Sequence, residues 1–445
     1  MKTKIFQMSS GESYSILLGE DGMPMPYQNL FVTLYYRNQS RAANTCHRAF
    51  ECLSFLDEIC QFEKIDLIER CKAGDFLTEN ECRKLKKHSG LKVETFREMV
   101  VRHKSANVVT FNKNKLESAR GEFDYPESNI SPFSTYNRLT VFANYIGWLE
   151  KELFPSKEST TELELKTIRG DKFGKNSEIV DWGNDRALED HQVMRLLDVV
   201  HPDSKENPWK SEAVRWRNYL IVNLMFAVGC RRGELLKIRV GTDNYPPDIK
   251  KREKNGRYFV LLRANRDDGK GGAKPDQRKY RPEGKTKTRL VPLDKRMVEI
   301  YENYLIHHRP KATGSEHIEY LFITHGDTTQ CRALSISAMQ KIFTEISKVL
   351  KFKVQTHTGR HTWNEKFSKY ADGRIADGKT TEAKSEADRR KLMGWSEDSS
   401  MARLYAKRHD NERAWNMGVE LQEEDSTTIN SIVQKRDEDL WTDGE

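Results

Sequence analysis

Apolar residues along this chain recur mostly at helical spacing. In "SRAANTCHRAFECLSFLDEIC", which begins at Ser40, Ala43, His47, Phe50, Leu53, Phe55 and Leu56 fall near one helix face. The stretch "STYNRLTVFANYIGWLEKEL" at 134–153 repeats the pattern through Leu139, Phe142, Ile146 and Leu149. Between them, the charged "ENECRKLKKHSGLKVETFREMVVRHKSA" also predicts helix, followed by a polar loop around Pro126 and Pro132. Upstream, residues 1–28 carry Gly and Pro punctuation and read as a short hairpin or arm. Residues 29–155 therefore read as an α-helical domain. The next stretch, 156–185, lacks sustained periodicity and reads as a linker.

Helical patterning resumes at "ALEDHQVMRLLDVV", and 212–228 is apolar enough to be a central helix. Two strand-like runs follow, "RYFVLLR" at 257–263 and "TRLVPL" at 288–293, separated by a Gly- and Lys-rich stretch. Helices are predicted again at "DKRMVEIYENYLIHH", "SISAMQKIFTEISKVL" and "GRHTWNEKFSKYA". The second region, 186–420, is thus mainly α with a small antiparallel β-sheet, and 421–445 forms an acidic tail.

Composition narrows the possibilities. At 445 residues, with 37% hydrophobic and 32% charged positions, the chain reads as a soluble protein of two or three domains. Its most apolar run, "LIVNLMFAVG" at 220–229, is half a membrane span, and the N-terminus lacks a signal-peptide core, so a cytoplasmic location is expected. The seven cysteines form an odd set with no C-x-x-C pair, and the five between 46 and 82 lack zinc-ligand spacing, so no metal is expected. Net charge is +8, but it is segregated. Lys250–Arg289 holds 15 Lys and Arg against 5 Asp and Glu, whereas Leu421–Glu445 holds 8 acids against 2 bases. The basic block, which includes Lys270, Lys274, Lys287 and Arg289, is the candidate surface for a polyanion.

Several chemistries fail on spacing. "EGKT" at 283–286 ends like a phosphate-binding loop, yet Lys279 stands where its first glycine belongs. "HTGRH" spaces His357 and His361 like a helical zinc pair, but Thr358 replaces the required glutamate. No G-x-S-x-G elbow appears. Four stretches remain: "GCRRGELLKIR" with Arg231, "GKTKTRLVPL" with Lys285 and Lys287, "HTGRHTW" with His357 and Arg360 one turn apart, and "GWSEDSSMARLY" with Trp395 and Tyr405.

In that order these stretches resemble the tyrosine recombinases, the phage integrase family, over about 187–415. The matches are G-x-R-x-G-E-L at 229–235, a hairpin lysine before V-P-L, H-x-x-R-H-T at 357–362, and M-G-W-S followed by tyrosine at 393–405. The resemblance implies a tyrosine-recombinase catalytic domain preceded by an α-helical core-binding domain that contacts DNA. It implies that Tyr405 attacks a DNA phosphodiester to form a 3′-phosphotyrosyl link. Arg231 and Arg360 would hold the pentacoordinate phosphate, since a guanidinium donates paired hydrogen bonds and keeps its charge. His357 would be a further donor or proton handler, and Lys285, with Lys287 the alternative, the general acid for the departing 5′-oxygen. Trp395 stands where many members have histidine, with His361 and Glu234 supporting.

Neither ATP, metal nor other cofactor is implied. The expected partners are double-stranded DNA, three further copies of the chain on two DNA sites joined through a four-way Holliday junction, and directionality or accessory DNA-bending factors, in a bacterial nucleoid setting on a mobile element. The departures are specific: Trp395 to Tyr405 is one residue longer than usual, Lys285 to Pro292 one shorter, and "ADGRIADGKTTEAKSEADRR" lengthens the span from His357 to Tyr405. A type IB topoisomerase uses similar residues, and a non-catalytic DNA-binding relative would keep the fold.

Overall fold

The computed structural model describes residues 1–8, 13–39, 41–106, 129–170, 187–242, 245–254, 256–265, 276, 278, 280–326, 331–397, 399 and 413–426. The chain divides into two compact units, Met1–Gly183 and Asn184–Glu445.

The first unit is built on two long helices. Helix α2 (Ala43–Glu63) buries Phe50, Leu53, Leu56 and Ile59, and α6 (Pro132–Leu153) buries Leu139, Phe142, Ile146 and Leu149 in the same cluster. Each such side chain contributes about 1.5–3 kcal/mol of burial, so these two stripes hold the unit together. The short α1 (Pro26–Val32) adds Phe31 to that cluster. Strands β1 (Lys2–Gln7) and β2 (Ser13–Leu18) pair antiparallel, and Leu17 enters the core, which makes the hairpin an integral part of the unit.

A short α3 (Leu67–Ala73) precedes the charged middle stretch, which forms α4 (Glu79–Ser89) and α5 (Val93–Ala106). Thr78 and Glu81 close a reciprocal cap at the start of α4. Its far end is tied down by Arg138, which donates to the Ser89 and Leu91 carbonyls at 2.7 and 2.8 Å. Helix α7 (Thr161–Ile168) lies inside the stretch 156–185 expected as a linker and sends the fully buried Leu165 into the core. Leu163 is exposed and the remaining positions are Thr, Glu and Lys, so the two apolar contacts, Leu165 and Ile168, make too short a stripe for periodicity to register. Cys46, Cys60, Cys71 and Cys82 are buried, and burial pushes the Cys71 and Cys82 thiols up to about 12, so they pack as small apolar groups.

The second unit centres on α9 (Glu212–Val228), preceded by α8 (Asp190–Val200). Leu220, Ile221, Val222, Leu224 and Met225 are all solvent-free, as a helix apolar on every side must be. Of its two buried amides, Asn223 donates to the Tyr219 carbonyl and accepts from Arg296, both at 2.8 Å, and Asn218 accepts from the Arg217 guanidinium at 2.9 and 3.0 Å. Against this helix lies a three-stranded antiparallel sheet of β3 (Ile249–Lys251), β4 (Tyr258–Leu262) and β5 (Arg289–Leu293). Val260 pairs with Val291 and Tyr258 with Leu293, and Ile249, Val260, Leu262, Val291 and Leu293 join the core.

A four-residue turn of helix, α10 (Arg232–Leu235), follows α9 directly. Helices α11 (Lys295–Asn303), α12 (Ile336–Leu350), α13 (Thr358–Ala376) and α14 (Glu382–Met393) complete the unit. The polar insertion is helical: it supplies the end of α13 and most of α14. Residues 413–426 form one helix, α15, which runs across the expected 420/421 boundary and on which Trp415 and Leu421 are exposed. No helix among the described residues is long and apolar enough to cross a membrane.

Candidate active site

Two glycine turns, at Gly229 and Gly394, help bring distant segments of the second unit together. Helix α9 stops at Gly229, whose φ of 58° lies in the left-handed region. The next residues turn at once into α10, which puts Arg231 at its mouth. Glu234, 1% exposed, folds back so that its Oε2 accepts the Arg231 backbone N–H at 2.9 Å. The Arg231 guanidinium lies 3.6 Å from Oε1 of the same carboxylate, and its side chain is 17% exposed.

The segment entering β5 packs on this turn. Thr286 points inward and donates its hydroxyl to Glu234 Oε1, while Lys285 and Lys287 on either side are exposed. Lys285 Nζ is 3.6 Å from the Glu283 carboxylate, and the Lys287 backbone N–H donates to the Gly394 carbonyl at 2.9 Å. Arg289 was expected at the DNA surface and is corrected here: it is 8% exposed and spends its donors internally. Nε donates to the Leu392 carbonyl at 2.7 Å, Nη1 to Thr286 Oγ1 at 2.7 Å, and Nη2 to Glu234 Oε2 at 2.9 Å. Burial alone would raise the Glu234 carboxyl. The charge of Arg289, with hydrogen bonds from Arg289, Thr286 and the Arg231 N–H, outweighs burial and lowers it to about 2.

The third segment is α13. Arg360 is solvent-free, and its Nη1 and Nη2 donate to the Gly229 and Met393 carbonyls at 2.8 and 3.3 Å. One guanidinium thus clasps the end of α9 to the end of α14. Gly394 ends α14 with φ 67°, and a side chain there would meet the Lys287 carbonyl at 2.8 Å. Beyond it, Trp395 is 6% exposed with its ring centre 5.5 Å from Arg360 Cζ, within cation–π range.

His357 and Arg360 do not share a face as their spacing predicted. His357 is the residue before the helix and is exposed, with its ring 6.3 Å from that of His361, whereas Arg360 points into the protein. Tyr405, Lys270 and Lys274 lie outside the described residues. Within them, Arg231, Arg360, Trp395, Glu234 and the Lys285–Lys287 segment are joined through the Glu234, Gly229 and Gly394 contacts. Thr286 and the inward role of Arg289 were missed. The signal was present in the alternation of Arg289, Val291 and Leu293, which puts all three on the buried face of β5.

No family model matches the sequence. Among solved structures, the chain is similar to the XerH site-specific recombinase bound to a palindromic difH substrate in a post-cleavage complex, at 18% identity, covering 88% of this chain and 96% of that one, with a TM-score of 0.43. The XerH pre-cleavage complex with difH gives 16% identity, 87% and 96% coverage, and a TM-score of 0.37.

Proposed function

We propose that this chain is a tyrosine-type site-specific DNA recombinase that breaks and rejoins DNA without metal or ATP. The observation that supports this most is the junction of Arg231, Arg360, Trp395 and the Lys285–Lys287 segment, drawn from positions up to 164 residues apart in the sequence, around one buried carboxylate and two helix ends. Structural salt bridges do not need two guanidiniums, two exposed lysines and an indole in one place. Phosphoryl transfer does, because charge develops on the equatorial oxygens and on the leaving oxygen.

In the proposed step the Tyr405 phenol oxygen attacks phosphorus and the bond from phosphorus to the 5′-oxygen breaks. Arg231 and Arg360 hold the phosphate oxygens, His357 takes the phenol proton as the new phosphorus–oxygen bond forms, and Lys285 or Lys287 gives a proton to the departing oxygen. A DNA 5′-hydroxyl reverses the step and reseals the strand. Because Arg360 is solvent-free, a phosphate reaches it only after part of its cover moves. Four copies on two duplexes would exchange strands through a Holliday junction, as fits a mobile genetic element acting with DNA-bending partners in the bacterial nucleoid.

Nicked duplexes tiling the DNA that flanks the gene test this. Attack at a cognate site releases a short strand and traps the covalent adduct. The expected result is an adduct from the full chain and none from Tyr405→Phe. No adduct, or one that survives that substitution, overturns the proposal, and an adduct without strand exchange between two sites redirects it to a topoisomerase.

A further inference from the structure

Glu234 is shared by two arginines whose surroundings differ. Its Oε2 accepts Arg289 Nη2 at 2.9 Å, while Arg231 approaches Oε1 only to 3.6 Å, outside hydrogen-bond distance. Arg231 Nη1 is buried and makes no hydrogen bond among the described residues, which leaves it a spare donor. Arg289, in contrast, has every nitrogen engaged, with Glu234, Thr286 and the Leu392 carbonyl. The charged and titratable groups acting on Glu234 are Arg289 from β5, and Arg231 and the buried Cys230 thiol from its own turn.

A carboxylate 1% exposed cannot draw compensation from water. If Arg289 were absent, its whole charge would fall on the nearest remaining cation, the Arg231 guanidinium, and the 3.6 Å gap would close to a hydrogen-bonded pair. That pairing competes directly with a phosphate. We propose that Arg289 is a positioning residue: by taking the charge of Glu234 it leaves the Arg231 guanidinium open to the scissile phosphate, while its bond to Leu392 holds the Gly394 turn against the lysine segment. This rests on the recombinase function proposed above.

The test uses the full chain and the nicked duplex that wild type captures, with single-turnover adduct formation as the rate and a gel shift as affinity. Arg289→Met should slow adduct formation by about a hundredfold, the scale of a misplaced catalytic group, with duplex affinity unchanged. Arg289→Lys, which keeps the charge, should stay within about tenfold of wild type. Glu234→Gln with Arg289→Met removes both charges and should recover to within about tenfold of wild type, a non-additive pair.

The pH profile separates charge sharing from scaffolding. In Arg289→Met the buried carboxyl is neutral in acid and becomes charged as pH rises, so the rate should fall with rising pH. Wild type shows no such limb from this group, because Glu234 is already ionised. Where Arg289→Met fails to fold, the lysine variant and the neutral pair carry the test alone. A double variant as slow as or slower than Arg289→Met, or an Arg289→Met that reacts like wild type, overturns the inference. Absence of any wild-type adduct overturns the recombinase proposal instead.

Discussion

Replacing Arg360 with lysine tests the architecture and the chemistry at once. The guanidinium bridges two carbonyls, Gly229 at 2.8 Å and Met393 at 3.3 Å, and stacks on Trp395. A lysine amine retains the charge but cannot span both acceptors. One buried carbonyl then loses its donor, at about 1–3 kcal/mol, and the weaker stacking costs a further 0.5–1 or so, for a total of about 2–4 kcal/mol. For a unit of this size, at about 2–4 °C per kcal/mol, that corresponds to a melting decrease of roughly 4–16 °C. Thermal denaturation followed by tryptophan fluorescence would report it, since Trp395 and Trp363 sit beside the bridge. Adduct formation on the nicked duplex should fall by about a hundredfold or more, as on removing a preorganised donor to a transition-state oxygen. Unchanged melting would refute the bridge, and normal adduct formation in a destabilised variant would refute the phosphate role.

Two further outcomes follow from charge. The Glu234 carboxyl is held at about 2 in the folded chain against an ordinary value of 4.5, so its stabilising contribution is present above pH 4.5 and is lost as pH falls towards 2. Urea unfolding measured across that interval should steepen for wild type and lack this component in Glu234→Gln. The β3–β4 hairpin presents Lys250, Lys251 and Lys254 to solvent, and changing all three to glutamine should flatten the slope of log affinity against log salt by about 2–3, at about 0.9 per lost phosphate contact. An unchanged slope in a DNA titration would make the hairpin merely solvated.

Sequence alone went far where one residue type has one physical use. The stripes of α2 and α6 and the all-apolar α9 were legible because burial repeats with the helical period, and β4 and β5 because their apolar residues alternate. It failed where a short polar helix is held by only two apolar contacts, as at Leu165 and Ile168 in α7, and where a helix runs through a change of composition, as at 413–426. At the candidate site, the motif order and its resemblance to the tyrosine recombinases named Arg231, Lys285, Lys287, His357, Arg360 and Trp395, and phosphate chemistry suits those side chains.

What the sequence could not decide is which cations face inward. Arg289 and Lys287 are two residues apart in one basic run, yet one is buried on Glu234 and the other exposed. His357 and Arg360 are three apart, yet one caps the helix at the surface and the other clasps two carbonyls in the interior. A positive charge written in the sequence has no direction. Only the fold supplies it, because a guanidinium can leave water where carbonyls, hydroxyls and a carboxylate converge on its donors, and that convergence here comes from segments more than a hundred residues apart.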